Sequence, residues 1–571
     1  MPQSQPPPRT GPKLDDDSGN GLSVARPEGH AGLRGLFENK FIVAITLFLT
    51  IGGFLVGYDQ GIINNIIYME SFGAAFPNLY MNPSLTAWCV STLLIAAAFG
   101  SYVDGTVCDK TGRKESVKYS VLIFLIGSSL QTGATSSKYL FAGRAVAGYA
   151  LGCLTHVIPM YIAEISTANI RGFLISLLQL AVTVGVSETT NWIADAMSLI
   201  GGTRCAPGVP YTGPLLKGSP TFDPYKDVPV GGCTGQTQAS WRVPLGLQLF
   251  PALCLGIGMF FMPDSPGWLA ESGREEEAAQ TLSRLRRKPA DDNSVRFELL
   301  EIMAEVRYTR EVTKAIIPNA GPYRLWVQMM VSFTSKKMTK RLFVGCLPMS
   351  FQQNMVGAII YYAPLVFSQM NLHKNTTSLL VGLFGLVNIF ATLPGVILVD
   401  RVGRRPLLLS GAVGCFMCMV VVGTIITVHG SHWPSNGVAV QAIIAFLFLF
   451  NIFFSYSWNS VGLVIPSEIF PLHHRSVALS FTTPSIWVSN FMATLSLPGF
   501  IEKSGGLAYY MTAAVCLLGF IAVKFAFPET NGYALTDMDT AFGSKVTDSE
   551  REHKERIYRD LGLPVKAPLT V

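Results

Sequence analysis

One carboxylate, Asp59, stands inside the apolar stretch 41–63. At membrane depth a charged side chain costs at least about 2.5–3.5 kcal/mol unless it is paired or hydrated. Burial and a neighbouring cation push a carboxyl's proton affinity in opposite directions, so the group can gain and lose a proton as its partner moves. Arg144, within the apolar stretch 139–163, is the natural partner for Asp59. The pair has the chemistry of a proton-coupling switch, and a static buried ion pair is the plainer alternative.

A second set of residues has binding chemistry. Gln179, Gln352, Gln353, Asn354, Asn388 and Asn490 are amides inside apolar stretches, and Tyr361 and Trp487 add aromatic faces. Amides donate and accept at once, which suits a ligand made of hydroxyls, and an aromatic ring covers its C–H surface. For any single amide, a bond between two helices is the simpler role. Glu188, an acid in the stretch 173–198, either faces a cavity or lies near a water-filled mouth.

A third set repeats. Asp109-Lys-Thr-Gly-Arg113-Lys114 recurs as Asp400-Arg-Val-Gly-Arg404-Arg405. Glu164 and Arg171 recur with the same spacing as Glu468 and Arg475. Pro263-Asp-Ser-Pro-Gly267 is matched by Pro528-Glu-Thr-Asn-Gly532. The motifs come in the same order in each half. Acids and bases so placed can pair across one face and separate again, which is the chemistry of a gate.

The elements that hold these residues are membrane spans. Hydrophobic residues make up 49% of the 571-residue chain and charged residues only 14%, against about 25% charged in soluble domains. Twelve stretches are long and apolar enough for candidate spans: 41–63, 84–108, 116–135, 139–163, 173–198, 241–262, 341–369, 376–400, 406–428, 437–466, 475–501 and 505–527. Lys110, Arg113, Lys114, Lys118, Arg171, Arg401, Arg404, Arg405 and Arg475 gather in alternate loops, which sets those loops and both termini on the cytoplasmic side. The fold expected is therefore all-α and integral to the membrane, with twelve transmembrane helices in two six-helix bundles. Its parts are a disordered cytoplasmic tail (1–40), an N-terminal bundle (41–265) with an extracellular loop (about 199–240), cytoplasmic linker helices (266–340), a C-terminal bundle (341–530) and a cytoplasmic tail (531–571). No signal peptide is read at the N-terminus; the first span itself directs insertion. Cys205 and Cys233 share the polar outer loop and are a disulfide candidate on an oxidising face. Asn375-Thr-Thr377 is a glycosylation sequon on the same side.

Taken together, these stretches resemble the sugar porter family of the major facilitator superfamily. The resemblance rests on Gly57-Tyr58-Asp59, Gly143-Arg144, Pro159-Met-Tyr-Ile-Ala-Glu164 with Arg171-Gly172, Gln179, Trp241-Arg-Val-Pro244, Pro263-Asp-Ser-Pro266, Gln352-Gln353 with Tyr361-Tyr-Ala-Pro364, Ser467-Glu468-Ile-Phe-Pro471 and Pro528-Glu-Thr530, and covers about residues 41–532. It implies the major facilitator fold, interaction of Asp59 with Arg144, and a sugar pocket lined by Gln179, Gln352, Gln353, Asn388 and Trp487. The sequence also departs from the family. One residue is missing between the Gln pair and Tyr361, which rotates a helix by about 100°, so Gly357 falls where the family has its sugar-binding Asn and Asn354 is a candidate substitute. Leu463 stands where many members have Trp, and Gly267 and His473 replace common arginines.

The function expected is secondary active import of a monosaccharide, hexose or pentose, with protons across the plasma membrane, by a monomeric unit. A facilitative uniporter, a carrier of a polyol, disaccharide or sugar-like acid, and a non-transporting sugar sensor stand beside it. The partners expected are the sugar, protons and the lipid bilayer; no cofactor is called for beyond the proton gradient. No nucleophile–base motif, phosphate loop or metal-ligand set is present, and Cys415-Phe-Met-Cys418 lies mid-span without a nearby His, so neither an enzyme nor a metal site is expected. The net charge of +6 resides in short loops, which marks topology rather than nucleic-acid binding.

Overall fold

The computed structural model describes residues 38–167, 169–216, 219–316, 336–356, 374–429, 437–470, 475–504, 506–531 and 548–563. Its regular structure among the described residues is helical apart from two two-residue strands, Leu215–Leu216 paired with Ser219–Pro220, in the long loop. The first bundle holds α1 (Lys40–Ile66), α2 (Pro83–Thr111), α3 (Arg113–Thr132) and α4 (Ser137–Ile165). Its α5 runs through Arg171–Val184, a π-helical turn Gly185–Thr189 and Thr190–Ser198, and α6 through Ala239–Leu247 and Leu249–Gly258. Linker helices α7 (Pro266–Glu271), α8 (Glu275–Arg286) and α9 (Asn293–Ile316) follow.

The second bundle repeats the plan. It holds α10 (Lys336–Val356), α11 (Lys374–Val402), α12 (Arg404–His429), α13 (Gly437–Phe454, a π-helical turn Ser455–Asn459, then Val464–Ile469), α14 (Arg475–Thr482 and Pro484–Ser504) and α15 (Leu507–Ala526). A last helix, α16 (Asp548–Asp560), lies in what the sequence marks as a tail. Among the described residues, seven helices are long and apolar enough on their own to cross a membrane. The rest are interrupted by π-helical turns or internal breaks, or, like α3, carry charge at one end.

Local signals account for several ends. Asn82 caps α2 by accepting from Ser84 N and Leu85 N, and Pro83 fills the first helical position. Gly112 and Gly403 occupy equivalent turns of the repeated motif at φ +93° and +99°, a conformation that favours glycine. Each lets a helix end and the next begin at once.

Phe99, Leu122, Phe250, Phe260, Phe390 and Met417 are exposed on the outer surface. A surface this apolar faces lipid, where each helix satisfies its own backbone. Inside, close approach is set by glycine: a Cβ on Gly57 would lie 2.1 Å from Val182 O, and one on Gly100 2.0 Å from Tyr149 O, so α1 meets α5, and α2 meets α4, backbone to backbone. Across the boundary between bundles, α2 packs against α14 and α5 against α11. Beneath them Leu269, Ala270 and Ala278 of α7 and α8 form a small core with α9. The helix α16 docks on α9 through Ala304, Ile557 and Leu563, flanked by Arg307–Asp560 at 3.3 Å and His553–Glu311 at 2.7 Å.

Candidate functional site

Asp59, on α1, is fully buried, and Arg144, on α4, is 1% exposed. Arg144 Nη1 donates to Asp59 Oδ1 at 3.2 Å and to its carbonyl at 3.3 Å, while Nη2 donates to Val90 O at 3.2 Å. Only one carboxylate oxygen is engaged. The other, Oδ2, has no partner in hydrogen-bond geometry among the described residues, although the buried amides of Gln131 and Gln248 face the carboxylate. A buried pair held by one bond is separable at low cost compared with a bidentate one. Gln131 and Gln248 were not singled out by sequence; each is an amide at membrane depth, which was the available signal.

A cavity of about 90 Å³ lies between the bundles, enough for several waters. Gln60, Thr155, Gln179, Thr183, Gln352, Gln353, Asn388, Asn459, Trp487 and Asn490 supply its polar lining, and none of its described lining residues is charged. Gln352 Oε1, Gln353 Oε1 and Trp487 Nε1 are buried with no hydrogen-bond partner among the described residues. They offer two acceptors and a donor to a ligand. The bundles touch here through Gln179 Nε2 to Asn459 Oδ1 at 3.0 Å, Asn459 Nδ2 to Thr183 Oγ1 at 2.9 Å, and Asn490 Nδ2 to Gln60 Oε1 at 3.2 Å. A smaller pocket shares Gln60 and Asn490 with this cavity and reaches Arg144. The ion pair and the cavity are thus one step apart.

Of the amides chosen from sequence, Gln179, Gln352, Gln353, Asn388 and Asn490 reach the cavity together with Trp487. Asn354 does not: it is exposed and donates to Ser350 O of its own helix at 2.9 Å. One residue is about 100° of helix, so a register that seats Gln352 and Gln353 turns Asn354 away. Tyr361, Gly357 and His473 lie outside the described residues, as do the side chains of Glu188 and Asn375. Sequence reading missed Gln60, Thr183 and Asn459. Asn459 is the last residue of a π-helical turn, where helix periodicity misplaces a side chain.

The repeated acids and bases meet at the face that carries the basic loops. Arg113 holds Glu164 through Nη2–Oε1 at 2.9 Å and Nε–Oε2 at 3.0 Å, with Asp109 Oδ1 3.7 Å from Nη1. In the second bundle Arg404 Nη2 lies 2.8 Å from both Asp400 Oδ1 and Glu468 Oε1. Among the described residues, contacts of these repeated acids that cross between bundles include Arg171 Nε to Glu468 Oε1 at 3.1 Å and Phe173 N to Asp400 Oδ2 at 2.7 Å. Arg475 bonds Phe470 O at 3.1 Å, and no carboxylate pairs with it among the described residues. This face is shut.

On the opposite face Cys205 and Cys233 are joined as a disulfide. Glu70 accepts from Cys205 N at 2.7 Å and from Tyr211 Oη, tying the loop to the end of α1. No group of acids, histidines and cysteines that could hold a metal occurs among the described residues.

A family model described as "Sugar (and other) transporter" matches residues 45–202 and 228–542. The chain belongs to that family. It is a multi-pass membrane protein of the major facilitator fold, in a family of transporters and not of enzymes. Its relatives include the high glucose sensor RGT2 of Saccharomyces cerevisiae, 31% identical over 93% of this chain and 64% of the sensor. A probable quinate permease of Aspergillus niger is 32% identical over 89% of this chain and 90% of the permease. Among solved structures, the proton:xylose symporter XylE bound to 6-bromo-6-deoxy-D-glucose superposes with a TM-score of 0.69, 24% identity, and coverage of 88% of this chain and 99% of that one. The inward open conformation of XylE from E. coli gives 0.57, with 23% identity over 87% and 99%.

Proposed function

We propose that this chain imports a monosaccharide, a hexose or pentose, together with protons, by alternating access at the plasma membrane. The observation that carries the reading is the cavity between the bundles: amides, hydroxyls and Trp487 line it, and no described lining residue is charged. Such a lining suits a neutral, hydroxyl-rich ligand, since an ion would be left unpaired there. Gln352 Oε1, Gln353 Oε1 and Trp487 Nε1 then find the partners the described residues do not supply.

Alternating access needs two rigid bundles that rock about a central site. In the state described, the basic-loop face is closed by Arg171–Glu468 and by Phe173 N on Asp400. Protonation of Asp59 releases Arg144, and the loaded carrier can then change state. Loss of the proton restores the pair. A relative that is a proton:xylose symporter supports the coupling. Both termini are cytoplasmic in this reading, and one chain is the working unit.

A second reading is a carrier of a sugar-like acid. Arg144 lines the pocket that adjoins the cavity through Gln60 and Asn490, and quinate permeases are among the relatives. Uptake of labelled hexoses, pentoses, polyols and sugar acids by transporter-deficient cells separates these readings. The proposal expects concentrative uptake of a neutral sugar that a protonophore abolishes. Uptake insensitive to the protonophore makes the chain a uniporter, uptake of acids alone supports the second reading, and no uptake of any solute supports a sensor.

A further inference from the structure

A buried imidazole, His156, stands on α4 directly after Thr155, which lines the cavity. Its Nδ1 lies 2.8 Å from Asp104 Oδ2 on α2, and its Nε2 lies 3.0 Å from the carbonyl oxygen of Ser476 on α14 of the other bundle. Ser116 Oγ, on α3, donates to Asp104 Oδ1. A fourth bond closes the set, from Ser476 Oγ to Gly105 O at 2.9 Å. All four side chains are at most 2% exposed.

These contacts fix a proton count. A backbone carbonyl only accepts, so Nε2 must carry a proton. A second proton must lie between Nδ1 and Oδ2, because two bare acceptors at that distance repel. A neutral imidazole and an ionised carboxylate hold one proton between them, but the closed interface requires two. The count is the same whether the second sits on the ring or on the carboxyl.

We infer that Asp104 and His156 form a second proton site, separate from Asp59, loaded while the basic-loop face is shut and emptied when it opens. Once the bundles part, Nε2 meets water in place of Ser476 O. Water both donates and accepts, so the second proton is no longer required and leaves to the cytoplasm. The inference rests on the alternating-access reading. Other titratable groups around Asp104 are Cys108 on α2 and Tyr149 and Cys153 on α4; Arg113, Asp109 and Glu164 form their own cluster at the start of α3. From α14 the group facing His156 is the Ser476 carbonyl.

The test uses the full chain in nanodiscs, with spin labels introduced through unnatural amino acids at the exposed positions Lys110 and Val402, one in each bundle. The distance between them reports the open and closed populations. In Asp59→Asn, which takes the Asp59 proton out of the linkage, the closed-to-open ratio is expected to fall by about tenfold per pH unit once the site begins to empty, the slope of one linked proton. When Asp104→Asn is added to Asp59→Asn, the side-chain amide donates to Nδ1 while the neutral ring donates to Ser476 O, so the closed state needs no extra proton. The ratio is then expected to stay flat with pH. Asp104→Ala, which also needs no second proton, is expected to be equally flat and serves where the Asn variant folds poorly. A slope that survives when either Asp104 substitution is added to Asp59→Asn, or that is absent from Asp59→Asn alone, overturns the inference. A distance that responds to sugar but not to pH overturns the inference alone, and one that responds to neither overturns alternating access with it.

Discussion

Arg171 Nε reaches across the bundle boundary to Glu468 Oε1 at 3.1 Å, whereas the reciprocal base, Arg475, makes no ion pair among the described residues. The repeat is symmetric in sequence and asymmetric in contact. One base of the equivalent pair holds the closed face together and the other does not.

Replacing the two bases separately should therefore give unequal results. Glu468 keeps Arg404 at 2.8 Å when Arg171 is removed, so the loss is that of a charge-assisted hydrogen bond, about 1.5–3 kcal/mol, and Arg171→Ala should lower the closed population by about tenfold to a hundredfold on that scale. Arg475→Ala should change it far less. Modification of a cysteine introduced at the basic-loop face measures the open population. Equal labelling rates in the two variants would contradict the assignment.

The amide clasp beside the cavity makes a second contrast. Asn459 bonds Gln179, Thr183 and Thr392, with its amide nitrogen 3.2 Å from Thr392 Oγ1. Asn354 is exposed and, among the described residues, bonds within its own helix. Each hydrogen bond contributes about 0.5–1.5 kcal/mol, so Asn459→Ala should raise the half-saturating sugar concentration by about tenfold on that scale. Asn354→Ala should leave it nearly unchanged. The concentration dependence of uptake decides, and a larger effect at Asn354 would show that the cavity is wrongly placed.

Much of this architecture is visible in the residues alone. The twelve apolar stretches coincide with α1–α6 and α10–α15 to within a few residues wherever the helices are described. Asp59 with Arg144 was legible because a charge at membrane depth demands a partner. Pairings within the gate were not. Glu164 lies seven residues from Arg171 but binds Arg113, which is 51 residues away. Only the approach of α3 to α4 brings those two together. His156 and Asp104 were overlooked although both are ionisable groups inside spans, because neither belongs to a repeated motif.

Acid should loosen the outer loop. Asp227 is buried at the foot of that loop and accepts from Asp223 N at 2.8 Å, Thr212 Oγ1 at 2.7 Å and Thr212 N at 3.0 Å. Burial pushes its carboxyl up, but the bonds from Asp223 and Thr212, with Lys226 nearby, outweigh it and hold the pKa below 3.8. A depressed carboxyl stabilises the fold above its ordinary pKa and loses that contribution as pH falls through the folded value. Hydrogen exchange over residues 199–240 should therefore accelerate between about pH 5 and about pH 3, beyond the intrinsic change in exchange rate. Asp227→Asn should remove that dependence. A loop equally protected at both pH values would refute the role of this carboxylate.

Backbone contact between α1 and α5 leaves no room at Gly57, where a Cβ would fall 2.1 Å from Val182 O. At Gly382 the nearest atom would be Trp192 Cζ2 at 3.6 Å, an ordinary contact. Overpacking costs about 1–3 kcal/mol and more against backbone, so Gly57→Ala should lower the melting temperature in detergent and Gly382→Ala should not. Fluorescence-detected gel filtration after heating compares them. Equal melting would mean that the helices do not cross this closely.

The central claim is that Asp59 couples a proton to sugar movement through Arg144. Its most direct measurement is uptake of labelled sugar into proteoliposomes carrying an imposed proton gradient, for the wild type and Asp59→Asn. The account predicts that the wild type concentrates sugar above the outside level until a protonophore is added. Asp59→Asn should only equilibrate sugar, while still exchanging it down a concentration gradient. Concentrative, gradient-driven uptake by Asp59→Asn would contradict it.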